Sequence, residues 1–84
     1  MNEQKNIAQI LEEFIAHKIL MQKNRRIHPQ EPLISSGILD SFHLLDISLY
    51  IEDTFGVKLD DTLLQKSVFN TLEELVALVK SKLE

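Results

Sequence analysis

The chain of 84 residues contains no cysteine, which excludes disulfides, thiolate metal sites and a cysteine nucleophile. It has no apolar run near the ~20 residues that span a bilayer. Its first residues, Met1-Asn2-Glu3-Gln4-Lys5, lack the pattern of a secretory signal. The compartment expected by default is the cytoplasm. Glycine-rich phosphate loops are missing, and no Ser-His-Asp arrangement can be defended. His17, His28 and His43 fall on different predicted elements, so no metal-ligand spacing is evident and they read as surface histidines. The net charge of −4 argues against nucleic acid, because phosphate contacts need a basic surface, and it speaks against a DNA-binding helix-turn-helix.

What is present is ordinary for a globular protein, with 44 % hydrophobic and 26 % charged residues. Nothing divides residues 1–84, so a single domain and a monomer are expected. A domain this small buries only about 60–65 % of its unfolded surface, which leaves little interior for an enzymatic cleft. Charge is unevenly placed. Between Arg26 and Lys58 there is no Lys or Arg, while Glu31, Asp40, Asp46, Glu52 and Asp53 all fall there. A stretch of one sign steers partners of the other sign, unless it is simply a solvated face.

The apolar residues Ile7, Ile10, Leu11, Phe14 and Ile15 follow helical spacing and predict a first helix from Asn6 to about Met21. Lys23, Arg25 and Arg26 suit the dipole at its end, and Pro29 is expected to stop it. Residues 24–40 read as a long connection, of the length that is usually functional. Leu33, Ile34, Ile38 and Leu39 should tuck into the core. A second helix is predicted from Asp40-Ser41 to Phe55, stopped by Gly56. Its inward row is Leu44, Ile47, Ile51 and Phe55. His43, Asp46, Tyr50 and Asp53 share the outward face, with Leu45 and Leu49 between the two. Asp60-Asp61 can cap a short third helix through about Lys66. Thr71 to Glu74 reads as a capping box opening a last helix, whose buried row is Leu72, Leu75, Val76, Val79 and Leu83. The fold class is all-α: three main helices, one short one and a long first loop.

Asp40-Ser41 before an apolar run has an innocent explanation, since Asp and Ser are preferred N-cap residues worth about 1 kcal/mol over alanine. The surrounding sequence adds to it. Asp40-Ser41-Phe42 resembles the Asp-Ser-Leu motif of the acyl carrier protein family, and Glu52-Asp53-Thr54-Phe55-Gly56 resembles the end of that family's acidic second helix. The likeness extends over essentially the whole chain, from the helix before the long loop to the one at Thr71.

The resemblance implies a four-helix carrier bundle without catalytic activity of its own. It implies that a phosphopantetheinyl transferase moves a 4'-phosphopantetheine arm from coenzyme A onto Ser41, beside a mobile loop. The arm would supply the thiol that the chain lacks and carry acyl groups on it as thioesters. A helix N-terminus tolerates the phosphodiester, because its free amides and partial positive charge favour an anion. The outward side of the second helix would then be the surface read by partners. Asp40, Asp46, Glu52 and Asp53 would meet basic patches on transferases and on acyl-activating ligases or synthases, with Phe42, His43, Leu45 and Leu49 beside them. Core completion is the competing reading of Phe42, Leu45 and Leu49.

Phe42 and His43 depart from the usual fatty-acid-synthesis pattern. Ser36 to Ser41 and Ser67-Val68-Phe69-Asn70-Thr71 look more like stand-alone carriers of specialised or amino-acid-activating pathways. An aliphatic cargo would be expected to insert between the second and third helices, lined by Leu45, Ile51, Leu63 and Val68. An aminoacyl or peptidyl load would need no such pocket. A helical adaptor without an arm, binding a partner through its acidic second helix, is the alternative of another class.

Overall fold

Each helix of the computed structural model, which describes residues 6–60 and 68–83, opens on a side chain that satisfies its first amides. Asn6 starts α1, Ile7–Glu13, by accepting from the Gln9 amide at 2.8 Å, while Gln9 accepts from the Asn6 amide at 3.2 Å. Asp40 starts α2, Ser41–Phe55, in the same reciprocal way with His43. Thr71 starts α3, Leu72–Leu83, with its hydroxyl accepting from the Glu74 amide at 3.1 Å and Glu74 returning to the Thr71 amide at 3.3 Å. The box expected at Thr71 is therefore present. Such caps satisfy donors that the helix itself leaves without partners, and each contributes on the order of 1 kcal/mol.

The first helix does not remain an α-helix to Met21. From Phe14 to Ile19 it widens into π-helical turns, and the chain leaves it at Leu20, whose amide donates to Ile15 at 2.9 Å. Met21 takes a left-handed φ of 57°. Pro29 is thus not the stop, which comes earlier through the left-handed turn. The widening begins at the residue whose ring meets α2: Phe14 stacks on Tyr50 with centroids 3.9 Å apart and planes at 10°. Tyr50 is accordingly half-buried rather than on the outward face. The sequence spacing placed it outward because the polar row of α2 passes through it, but the neighbouring helix covers that part of the row.

Lys23, Arg25 and Arg26 lie beyond the helix, and Arg25 and Arg26 fasten the loop instead. Arg25 pairs with Glu31 at 2.6 Å, and Glu12 accepts from Arg26 at 3.2 Å and from the Ile27 amide at 2.7 Å. Further on, Asn70 clasps the loop to the start of α3. Its Oδ1 accepts from the Ile34 and Ser35 amides at 3.0 and 2.9 Å, its Nδ2 donates to Ser35 Oγ at 2.9 Å, and its carbonyl accepts from the Leu33 amide. The Glu73 amide donates to Pro29 at 2.9 Å. Where the sequence suggests a mobile connection, the loop is tied down along its length.

α1 packs against α3, and the loop and α2 close the core. Leu11, Ile15, Leu33, Leu39, Ile47, Ile51, Phe69, Leu75 and Val79 are fully buried. Each such side chain contributes roughly 1.5–3 kcal/mol relative to exposure. Ile34, Ile38, Phe55 and Val76 pack on the edge of this cluster. Leu83, expected in the buried row of α3, is 49 % exposed. It has the right spacing from Val79 but is the last residue of the helix. Gly56 ends α2 with φ 72°, and its amide donates to the Glu52 carbonyl at 2.9 Å. The short third helix expected after Asp60 falls mostly on residues 61–66, outside the described residues.

Candidate attachment site

The loop delivers the chain to α2 through Gly37, whose φ of 87° is a conformation L side chains rarely adopt. Leu39 then anchors in the core, its amide donating to the Leu33 carbonyl at 2.9 Å. Asp40 follows in extended conformation as the N-cap. Its Oδ1 accepts from the His43 amide at 3.0 Å, and His43 Nδ1 accepts from the Asp40 amide at 3.3 Å. The hydrogen bond from the His43 amide holds the Asp40 carboxyl below its ordinary value; desolvation opposes it, and the nearby imidazole acts in the same direction as the bond. A histidine thus fills the role that Glu or Gln usually plays in a capping box.

Ser41 is the first residue of α2 and is exposed. No hydrogen bond from its hydroxyl is present among the described residues, so the oxygen is open to a modifying enzyme. A phosphodiester on it would stand at the positive end of a helix of 15 residues, where an anion is favoured. The residues present therefore fit a phosphate-linked arm.

Beyond Ser41, α2 divides cleanly. Leu44, Ile47, Ser48 and Ile51 face inward. Phe42, Leu45 and Leu49 are 78, 50 and 56 % exposed, and their spacing of three and four puts them on one stripe. Asp46, Glu52 and Asp53 are exposed beside it, and His43 is partly covered. The core reading of Phe42 and Leu45 is thereby set aside. Single exposed apolar residues are ordinary, whereas these three follow one another along the helix and are rimmed by charge.

The described members of the lining expected for an acyl chain differ in environment. Ile51 is fully buried in the core, whereas Leu45 and Val68 are 50 and 38 % exposed; Leu63 lies outside the described residues. Two open clefts occur elsewhere among the described residues. One of about 360 Å³ lies between the first helix and α2, against Ile10, Phe14, Lys18, Tyr50 and Thr54. The other, of about 310 Å³, lies against Glu12, His17, Lys23, Arg25 and Arg26. Among the described residues no group of His, Asp and Glu could hold a metal ion, and no helix is long and apolar enough to cross a membrane.

The family model for the phosphopantetheine attachment site matches residues 7–79, an interval that includes α1, the loop, α2 and most of α3. The chain belongs to this family. No curated protein matches it. The chain is thus a phosphopantetheine-carrying carrier protein, whose cofactor is 4'-phosphopantetheine held covalently. Carriers of this kind are not catalysts and work with phosphopantetheinyl transferases and synthase enzymes. The all-α architecture, built here on three described helices, is that of a carrier. Sequence reasoning missed the Asn70 clasp and the partner of Asp40 in this carrier. The first depends on contacts between distant residues; the second was legible, had His43 been considered as a hydrogen-bond acceptor at the third helical position.

Proposed function

We propose that Ser41 bears the arm and that the chain acts as a stand-alone, single-domain monomeric carrier of acyl intermediates, held as thioesters, in a specialised or fatty-acid-like biosynthetic pathway. The observation that carries the assignment of Ser41 is its exposed hydroxyl at the first position of α2, directly behind the Asp40 cap. The arm supplies the thiol, and the chain positions it. Phe42, Leu45 and Leu49, with Asp40, His43, Asp46, Glu52 and Asp53, form the surface that partners with basic patches dock on. Charges of this kind raise association rate and make it salt-dependent, while the apolar stripe sets residence time. We place this role in the cytoplasm, where coenzyme A, the source of the arm, is present.

An aminoacyl or peptidyl load is the second reading. The solvent exposure of Leu45 and Val68 favours it, since a cargo that is not a long aliphatic chain has no need of an enclosed apolar lining. Incubation with coenzyme A and a broad-specificity transferase should add one phosphopantetheine to the wild type and none to Ser41→Ala. An unchanged mass, with a transferase active on another carrier, sinks the proposal and leaves the arm-less adaptor as the reading for α2.

A further inference from the structure

The cap of α2 contains a titratable ring two residues from Ser41. His43 Nδ1 lies 3.3 Å from the Asp40 amide nitrogen and accepts its hydrogen. A neutral imidazole that accepts at Nδ1 carries its own hydrogen on Nε2, so the cap fixes the tautomer. Protonation removes that acceptor. The new Nδ1–H then faces Asp40 Oδ1, 3.4 Å away, which already accepts from the His43 amide at 3.0 Å. The same atoms therefore have two arrangements. With the ring neutral the box is reciprocal. With the ring charged the Asp40 amide loses its partner, and the carboxylate is shared between an amide and an imidazolium.

Two carboxylates lie near the ring on its own helix. Asp40 is beside the ring, Asp46 follows one turn along α2, and the loop residues 32–39 packed before it carry no ionisable side chain. Of the side chains on this turn, histidine is the type whose charge ordinarily changes near neutral pH.

We propose that His43 is a positioning residue for the arm: its neutral ring closes the cap that presents Ser41, and its protonation resets that turn together with the phosphodiester attached to it. This rests on Ser41 being the attachment point. A phosphodiester has no proton to lose between pH 5 and 8, so any change it shows over that range reports a neighbour. Ser41 and His43 share one helical turn, a rise of only ~3 Å along the axis and well inside a Debye length of ~8–10 Å.

The test compares wild type with His43→Gln, in which an amide oxygen keeps the acceptor at that position without a titrating proton. The holo proteins are followed from pH 5 to 8 by phosphorus and amide NMR. In the wild type, the Asp40 amide and the phosphodiester resonance should move together with the His43 ring. In His43→Gln both should stay flat. A phosphorus resonance that is flat in the wild type, or that moves equally in His43→Gln, overturns the proposal. The apo protein gives a readout that needs no arm: an Asp40 amide that ignores the His43 titration there overturns the proposal at the cap itself. Absence of any phosphopantetheine mass on Ser41 instead overturns the attachment reading, and with it the link from the cap to the arm.

Discussion

Replacing Asn70 by alanine should cost the protein a large part of its stability, although the residue is polar and sits between Phe69 and the start of α3. Three side-chain hydrogen bonds disappear: two from the Ile34 and Ser35 amides to Oδ1, and one from Nδ2 to Ser35 Oγ. Each is worth about 0.5–1.5 kcal/mol net. The Ser35 amide is exposed and water can replace its partner. The Ile34 amide is part-buried, and stranding a covered donor costs roughly 1–3 kcal/mol. The sum is about 2–3 kcal/mol. Total stabilities lie near 5–15 kcal/mol, so this is a substantial fraction. For a domain of this size 1 kcal/mol lowers Tm by about 4–8 °C, giving an expected drop of roughly 10–20 °C. Thermal and urea unfolding followed by circular dichroism measure it. Asn70→Asp keeps the accepting oxygens and should lose less than half as much. A Tm for Asn70→Ala within about 3 °C of wild type would refute the clasp as the element that holds the long loop.

Gly56→Ala meets no steric obstacle, since nothing lies within 4 Å of the added carbon, but it must adopt φ 72°. The left-handed penalty of about 1–2 kcal/mol, partly offset by a stiffer unfolded chain, should lower stability by about 1 kcal/mol in urea melts; an unchanged midpoint would count against the left-handed stop. The Asp40 carboxyl is held below its reference value of 3.8, so its contribution is full above that pH and fades as pH falls through the lower folded value. The stability difference between wild type and Asp40→Asn should therefore shrink as the pH drops below about 4, and a constant difference down to pH 2 would contradict the charged cap. Reversing Asp46 and Asp53 to lysine, both exposed, should leave Tm within a few degrees. It should also slow transferase loading by tenfold or more at low salt, and by less at high salt. Equal loading rates at low salt would remove the acidic face from partner recognition.

The features that sequence revealed are those written within a few residues. The Asp40 cap, the Gly56 stop and the Thr71–Glu74 box each involve positions three or four apart, so their chemistry is local and was legible. Leu44, Ile47 and Ile51 of the inward row of α2 followed from spacing alone, while Phe55 is only partly buried and Ser48 joins the row. Other features depend on which distant segments meet. Asn70 reaches residues 34 and 35 across 36 and 35 positions, and no periodicity records that. Tyr50 lies on the polar row of its helix and is covered only because Phe14 arrives from the first one. Leu83 continues the buried spacing of α3 but lies in its last turn and is 49 % exposed. At the site itself the exposure of Phe42, Leu45 and Leu49 could not be separated from core completion, because α2 is apolar over more than one face. The π-helical widening from Phe14 has no sequence mark that distinguishes it from an ordinary helix.

Intact mass spectrometry of the protein purified from its own host, beside Ser41→Ala from the same host, tests the assignment of Ser41 most directly. The wild type should carry one phosphopantetheine, with or without an acyl or aminoacyl group on its thiol, and the variant should run at its unmodified mass. Wild type found only at its unmodified mass, or a variant that still carries the arm, would contradict Ser41 as the attachment point.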